Sequence, residues 1–185
     1  MSNDSPTSTT AVLAPPDPGL PRPGGYKAVG ARCILEISAC LGPLATLRGR
    51  LAVLENTLVV DDSGERATLS LEADIRSLRT TRPLAGRRLL GRNGLDARHH
   101  GLLRLRADRI AIDDDHWRIR GRLTLREAPI DITLQARVAA RTEERIAVVA
   151  TGWVSSRALR GECSVRLPRS VPADRFRLMV AADFR

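Results

Sequence analysis

The sequence predicts an all-β protein, an antiparallel β-barrel of about eight strands interrupted by one short helix-and-loop excursion. Three observations carry this. Apolar and polar residues alternate with a period of two from residue 29 almost to the end. The apolar residues of each run share one face, so the strands need two packed sheets or a closed barrel to bury it, and a barrel is the expected form. The chain has 185 residues, 43% of them hydrophobic, which suits one domain with a sizeable core.

Residues 1 to 25, ending "PPDPGLPRPGG", read as a disordered Pro-rich tail, so the barrel domain is expected over 26 to 185. The tail lacks an early basic residue and its apolar run is only "AVLA", a poor signal peptide. No segment approaches the roughly 18 apolar residues of a membrane span. A cytoplasmic location is expected.

In the first strand, "ARCILEISACL", Cys33, Leu35, Ile37 and Ala39 share a face. "TLRGRLAVLENTLVV" repeats the pattern through Leu47, Gly49, Leu51 and Val53, with a break expected at Asn56 and a turn at "DDSG". "ATLSLEADIRSL" sets Leu69, Leu71, Ala73 and Ile75 against Ser70, Glu72, Asp74 and Arg76. Residues 82 to 100 break the alternation. There Pro83 suits a first helical turn, and Leu84, Leu89 and Leu90 fit a short helix ending near Gly91 or Gly94. "GLLRLRADRIAI" and "HWRIRGRLTL" then form a hairpin about "DDD", and "IDITLQARVAA" and "ERIAVVATGWVSS" flank "RTEE". "ECSVRLP" and "RFRLMVAADF" are the last expected strands.

Thirty basic residues face 21 acidic ones, a net charge of +9, and Lys27 is the only lysine. The arginines spread along nearly every strand opposite the aliphatic face, which reads as a solvated barrel exterior rather than a phosphate-binding stripe. Aromatics reach only 3%, too few for stacking platforms. Cys33, Cys40 and Cys163 show no metal-ligand spacing and read as buried free thiols of a reducing compartment.

Three segments resemble the YceI family of lipocalin-like barrels. "TLRGRL" (46 to 51) is similar to its early Thr-x-x-Gly strand. Residues 75 to 110 carry its longest signature, with Ser77, Leu78, Thr80, Leu89, Leu90, Leu95, Asp96, Ala97 and His100 in place. "RGRLTLREAPIDITL" (120 to 134) looks like its Gly-x-Leu-Thr hairpin, through Gly121, Leu123 and Thr124. The resemblance runs in order over roughly residues 29 to 184. This chain departs from the pattern at Gly101, where a Pro is usual, and at Glu127, which replaces a turn Gly.

The resemblance implies non-catalytic binding, sequestration or transport of a long apolar, polyisoprenoid-like lipid inside the barrel. The aliphatic residues expected to line it are Leu35, Ile37, Leu71, Ile75, Leu103, Leu105, Ile119, Leu123, Leu125, Ile132 and Leu134. Each is equally an ordinary core residue, and whether the interior is open or filled stays undecided at this level. Arg87, Arg88 and Arg92 on the excursion are candidate headgroup contacts. No cofactor, metal or specific nucleic acid is expected, and a homodimer is left open. An alternative is a filled barrel acting as a binding or regulatory module through its arginine-rich exterior. A weaker one is a hydrolase or metal site built from His99, His100 and the "DDDH" at 113 to 116, which needs those loops to converge.

The alternation makes a direct prediction. Leu123→Asp buries an unpartnered charge and should cost several kcal/mol, while Arg122→Asp, one residue away on the outer face, should cost far less. Chemical denaturation of the two variants compares them; equal losses would mean that the pattern does not mark an inside and an outside.

Overall fold

A computed structural model describes residues 22–28, 30–63, 66–113, 115–142 and 144–185. Residues 1–21 of the expected tail lie outside the described residues. The elements are β1 (Gly24–Lys27), a 3-10 turn (Gly30–Arg32), β2 (Cys33–Leu41), β3 (Leu44–Val60), β4 (Ala67–Thr80), α1 (Pro83–Leu90), β5 (Leu102–Asp113), β6 (His116–Leu125), β7 (Ala128–Thr142), β8 (Arg145–Ser155), α2 (Ser156–Glu162) and β9 (Arg175–Phe184).

All strand pairs are antiparallel. The order β3-β2-β9-β8-β7-β6-β5-β4 returns to β3, so eight strands close into a barrel. The ninth, β1, pairs with the far half of β3 (Gly24↔Val60 to Lys27↔Thr57), beyond the reach of β2. Lys27 also exchanges backbone hydrogen bonds with Arg185 at 2.9 and 3.1 Å. β1 thus prolongs β2 between β3 and the end of β9. Among the described residues, pairing begins at Gly24.

The closing ladder, β3 with β4, is also the least regular. It shifts register between Arg50 and Ala52 and again between Val53 and Glu55. At the first shift the Ala52 N–H donates to Ser77 Oγ at 2.7 Å, and Ser77 Oγ donates to the Asp74 carbonyl at 2.6 Å. The Ser77 hydroxyl supplies the partner that the ladder lacks there. Asn56 does not break the strand as expected. It sits within the 17-residue β3, fully buried, its Nδ2 donating to Cys33 Sγ at 3.2 Å. A polar residue at an inward position mimics a break only in sequence.

A second correction concerns "ECSVRLP". Residues 156–162 form α2 and residues 163–168 have no strand pairing. The Ser155 hydroxyl accepts from the Ala158 N–H at 3.0 Å, an N-cap that turns "SRALRGE" into a helix. α1 forms where Pro83 and the leucines place it.

The Leu41↔Leu44 hairpin uses Gly42 at φ +57 before Pro43, as a two-residue primed turn requires. The β6–β7 hairpin, Leu125↔Ala128, places Arg126 (φ +51) and Glu127 (φ +65) in the left-handed region without a glycine. Glu127→Gly should therefore raise stability by up to about 1 kcal/mol, relieved backbone strain outweighing the added freedom of the unfolded chain. Thermal unfolding checks this, and a lowered midpoint would show that the Glu127 side chain contributes more than its backbone costs.

Candidate functional site

Strand direction gives the barrel two unlike ends. One carries the ends of the β3–β4, β5–β6 and β7–β8 hairpins, where Val60 pairs with Ala67, Asp113 with His116 and Thr142 with Arg145. The other carries α1 with the turn to residue 101, and α2 with the segment to residue 174; these two segments are its lids.

The interior divides in the same way. Leu35, Leu71 and Leu105, each 0 to 1% exposed, lie across the middle as a waist; cross-strand register sets Leu71 opposite Leu105 and Leu105 opposite Leu123. Towards the hairpin end, Trp117 fills the barrel at 2% exposure, with Ile119, Leu134 and Phe184 around it. Only about 20 Å³ stays open there, enough for one water-sized group. Asn56 and Trp117 both line that space, and neither Asn56 Oδ1 nor Trp117 Nε1 has a hydrogen-bond partner among the described residues.

Towards the lid end the packing is looser. A cavity of about 70 Å³ is lined from the barrel by Ile37, Leu47, Ile75, Leu103, Leu123, Leu125 and Phe176 among others, and from the lids by Leu89, Leu95, Leu159, Val165 and Leu167. Thr80 is the only polar side chain in its wall. Binding cavities for small molecules are usually several times larger, and about 150 Å³ admits a benzene-sized guest. With the lids down, then, this is a closed space and not a loaded-size pocket.

Of the lining residues expected from sequence, Ile37, Ile75, Leu103, Leu123 and Leu125 meet in the lidded cavity. Leu35, Leu71 and Leu105 form the waist, and Ile119 and Leu134 belong to the hairpin-end core. Ile132 is buried but borders neither interior space. Arg87 and Arg88 in the last turn of α1, and Arg92 just after it, are exposed on the outside of the lid. The lid residues Leu95, Leu159, Val165 and Leu167 are not among the expected lining: Leu95 and Leu159 fall outside the strand alternation, and Val165 and Leu167 alternate in a stretch that pairs with no strand.

Polar contacts tie the lids to the barrel, among them Arg76 Nε donating to the Ala97 carbonyl (3.1 Å), Thr46 Oγ1 to the Pro172 carbonyl (2.8 Å) and the Asp174 N–H to the Cys40 carbonyl (2.9 Å). α1 lies close on β4: a Cβ on Gly86 would come 2.4 Å from Thr80 Oγ1, so only glycine fits. Between the lids, the Arg166 N–H donates to the Asn93 carbonyl at 2.8 Å, and Arg82 Nη1 donates to the Ser170 carbonyl at 2.9 Å. Arg126 Nη1 reaches both lids, donating to the carbonyls of Gly94 (3.2 Å) and Ser164 (2.9 Å). The four non-glycine residues with positive φ among those described are Asp96, Arg126, Glu127 and Ser164, and all lie in these lids or in the turn beneath them. The backbone strain of the described non-glycine residues thus clusters at this end of the barrel.

The groups of the catalytic alternative do not converge. His99 and His100 are in a lid, whereas His116 sits at the hairpin end beside Asp115. His99 Nδ1 lies 2.9 Å from Asp96 Oδ1, a hydrogen bond that holds the Asp96 carboxyl below the usual carboxylate range and tightens the local turn. Cys33, Cys40 and Cys163 are buried free thiols, and burial pushes Cys33 and Cys163 up from the ordinary thiol range, away from nucleophilic character.

A second hollow, open to solvent and of about 940 Å³, crosses the outer faces of β4 to β7. Arg106 stands directly opposite Arg122, and Arg109 opposite Arg120, with Asp108 and Asp131 beside them.

The fold and its interior define a small antiparallel barrel of the lipocalin-like kind, closed by side chains at one end and by lids at the other. A family profile described as YceI-like domain matches residues 35–171, and the chain belongs to that family. A search of the curated proteins found no match. Similar solved structures include BcnA from Burkholderia cenocepacia (13% identity over 84% of this chain and 97% of that one, TM-score 0.67). A polyisoprenoid binding domain from Saccharophagus degradans, implicated in plant cell wall breakdown, is also similar (14%, 86% and 97%, TM-score 0.59). So is a YceI protein from Campylobacter jejuni (17%, 63% and 70%, TM-score 0.54). At these identities the likeness concerns the fold.

If Arg126 latches the lids, Arg126→Ala should speed amide hydrogen exchange selectively at residues 91–97 and 163–167. Strands on the far side of the waist should keep their protection. Acceleration spread evenly over the chain would instead make Arg126 a contributor to global stability.

Proposed function

We propose that this protein binds and carries, without chemical change, a long apolar lipid of the polyisoprenoid class, which enters under the two lids and lies in the lid-end half of the barrel. The observation that carries this is the make-up of the lidded cavity. Its wall is aliphatic apart from Thr80 and Phe176, and five of its lining residues come from covers that are not part of the sheet. Raising the covers enlarges the space without breaking a strand ladder. The helices are short, eight and seven residues, so their order depends on packing rather than on intrinsic helix stability. An apolar chain replacing Leu89, Leu95, Leu159 and Val165 against the barrel gains burial at roughly 25 cal/mol per Å² and needs no charged anchor.

The binding of polyisoprenoid by the Saccharophagus degradans domain supports the ligand class. The separation of the histidines and the buried thiols support a role without catalysis. The three free thiols also suit the cytoplasm, where we place the protein. The outer groove favours a second reading, a module that binds an anion. Like charges directly opposite across strands repel, and an anion between the Arg106–Arg122 and Arg109–Arg120 pairs would relieve that.

The test contrasts two places in the barrel. Leu103→Phe and Leu125→Phe add volume to the lidded cavity and should cost little stability while lowering displacement of a fluorescent lipid probe. Leu71→Phe and Leu105→Phe overpack the waist and should cost about 1 to 3 kcal/mol. Equal costs at all four positions, with no probe uptake by the unaltered protein, would sink the carrier reading.

A further inference from the structure

The lid end of the barrel is strongly basic. The lid segments, 81–101 and 156–174, contain nine arginines against three carboxylates, Asp96, Glu162 and Asp174. All nine arginines are exposed, and none makes an ion pair among the described residues. Asp96 is engaged by His99, and Asp174 Oδ2 accepts from the Gly42 N–H at 3.3 Å. The hairpin end is mixed: its described residues include Asp61, Asp62, Asp113, Asp115, Glu144 and Asp183 against Lys27, Arg32, Arg66, Arg145 and Arg185. A molecule whose unpaired basic groups gather at its lids turns the lids towards any extended anionic surface.

The two most exposed large apolar side chains among the described residues also lie at the lid end. Leu84 on α1 is 74% exposed and Leu44, at the tip of the β2–β3 hairpin, is 70% exposed. Trp153, two residues from the lid-end terminus of β8, is 46% exposed on the outer wall, with the Arg175 guanidinium 4.4 Å from its ring centroid. Exposed leucines set among arginines, with a half-exposed tryptophan at the margin, are the groups that settle at a lipid–water boundary: leucines among the acyl chains, arginines on phosphates, indole at headgroup level. A nucleic acid would use the charge and leave both leucines in water.

We propose that the lid end docks on a membrane surface rich in anionic phospholipid, with Leu84 and Leu44 entering the interface and Arg87, Arg88 and Arg92 contacting lipid phosphates. This deepens the carrier reading and rests on it for its purpose, because the docked face is the one whose covers close the apolar cavity. A lid loosened there would let an apolar ligand pass between bilayer and barrel without crossing water.

Vesicle sedimentation with the full chain tests the docking. The bound fraction should rise when phosphatidylglycerol is added to phosphatidylcholine vesicles and fall with added salt. Each arginine at the surface contributes roughly a fivefold factor, so Arg87→Glu with Arg88→Glu should weaken partitioning by about twenty-fivefold or more. Arg106→Glu with Arg122→Glu, in the outer groove, should leave it unchanged, and Leu84→Ser should weaken it severalfold. Melting temperature and apolar-probe uptake are read on the same samples. Binding indifferent to phosphatidylglycerol, lost equally in the groove variant, or outcompeted by a duplex oligonucleotide at equal phosphate would overturn the proposal. Probe uptake that persists while vesicle binding is absent refutes the docking and leaves the carrier reading standing. Vesicle binding with the expected variant pattern but no probe uptake supports the docking and removes the carrier reading.

Discussion

Everything in this molecule depends on the ladder between β3 and β4, which joins the two edges of the sheet. With it, the sheet closes on itself, and the inward faces of eight strands meet around a space only as wide as side chains can fill. The ladder closes with two register shifts, and the Ser77 hydroxyl compensates at one of them. β1 and the chain's last residue extend the closure at the hairpin end.

A barrel of this width leaves a choice, at each level along its axis, between a large side chain and a void. At the hairpin end Trp117 takes the space. At the middle three leucines do. At the lid end no barrel residue reaches across, and the interior is completed by Leu89 and Leu95 from one cover and Leu159 and Val165 from the other. The solid part lies within strand ladders, whereas the looser part lies under short helices and turns, whose hydrogen bonds include those of Arg126 to both covers. The strained backbone at Asp96, Arg126, Glu127 and Ser164 lies around the same cover, as expected where a local arrangement serves something other than stability.

Much of the barrel was legible because an antiparallel strand wetted on one face writes its burial into every second residue. Leu69, Leu71, Ala73 and Ile75 show this without exception, and all are buried. The same rule misread Asn56, a buried polar residue whose partner, Cys33, is brought near only by folding. It also misread "ECSVRLP", where alternation exists but no neighbouring strand is available to pair with it. The cavity was half legible. Its barrel side follows the alternation, but its lid side does not, because Leu159 and Val165 reach the interior by way of a helix cap and a loop crossing.

The sequence by itself determined the antiparallel barrel fold with aliphatic interior and arginine exterior, because period-two patterning and turn chemistry act over a few residues and need no distant partner. Only the tertiary structure decided which aliphatic residues fill and which enclose. Leu71 and Leu103 lie on similar strands and have the same chemistry, yet one is waist and the other cavity wall. The difference is set by what stands across the barrel, another leucine or a removable lid, and that depends on closure and register over the whole chain.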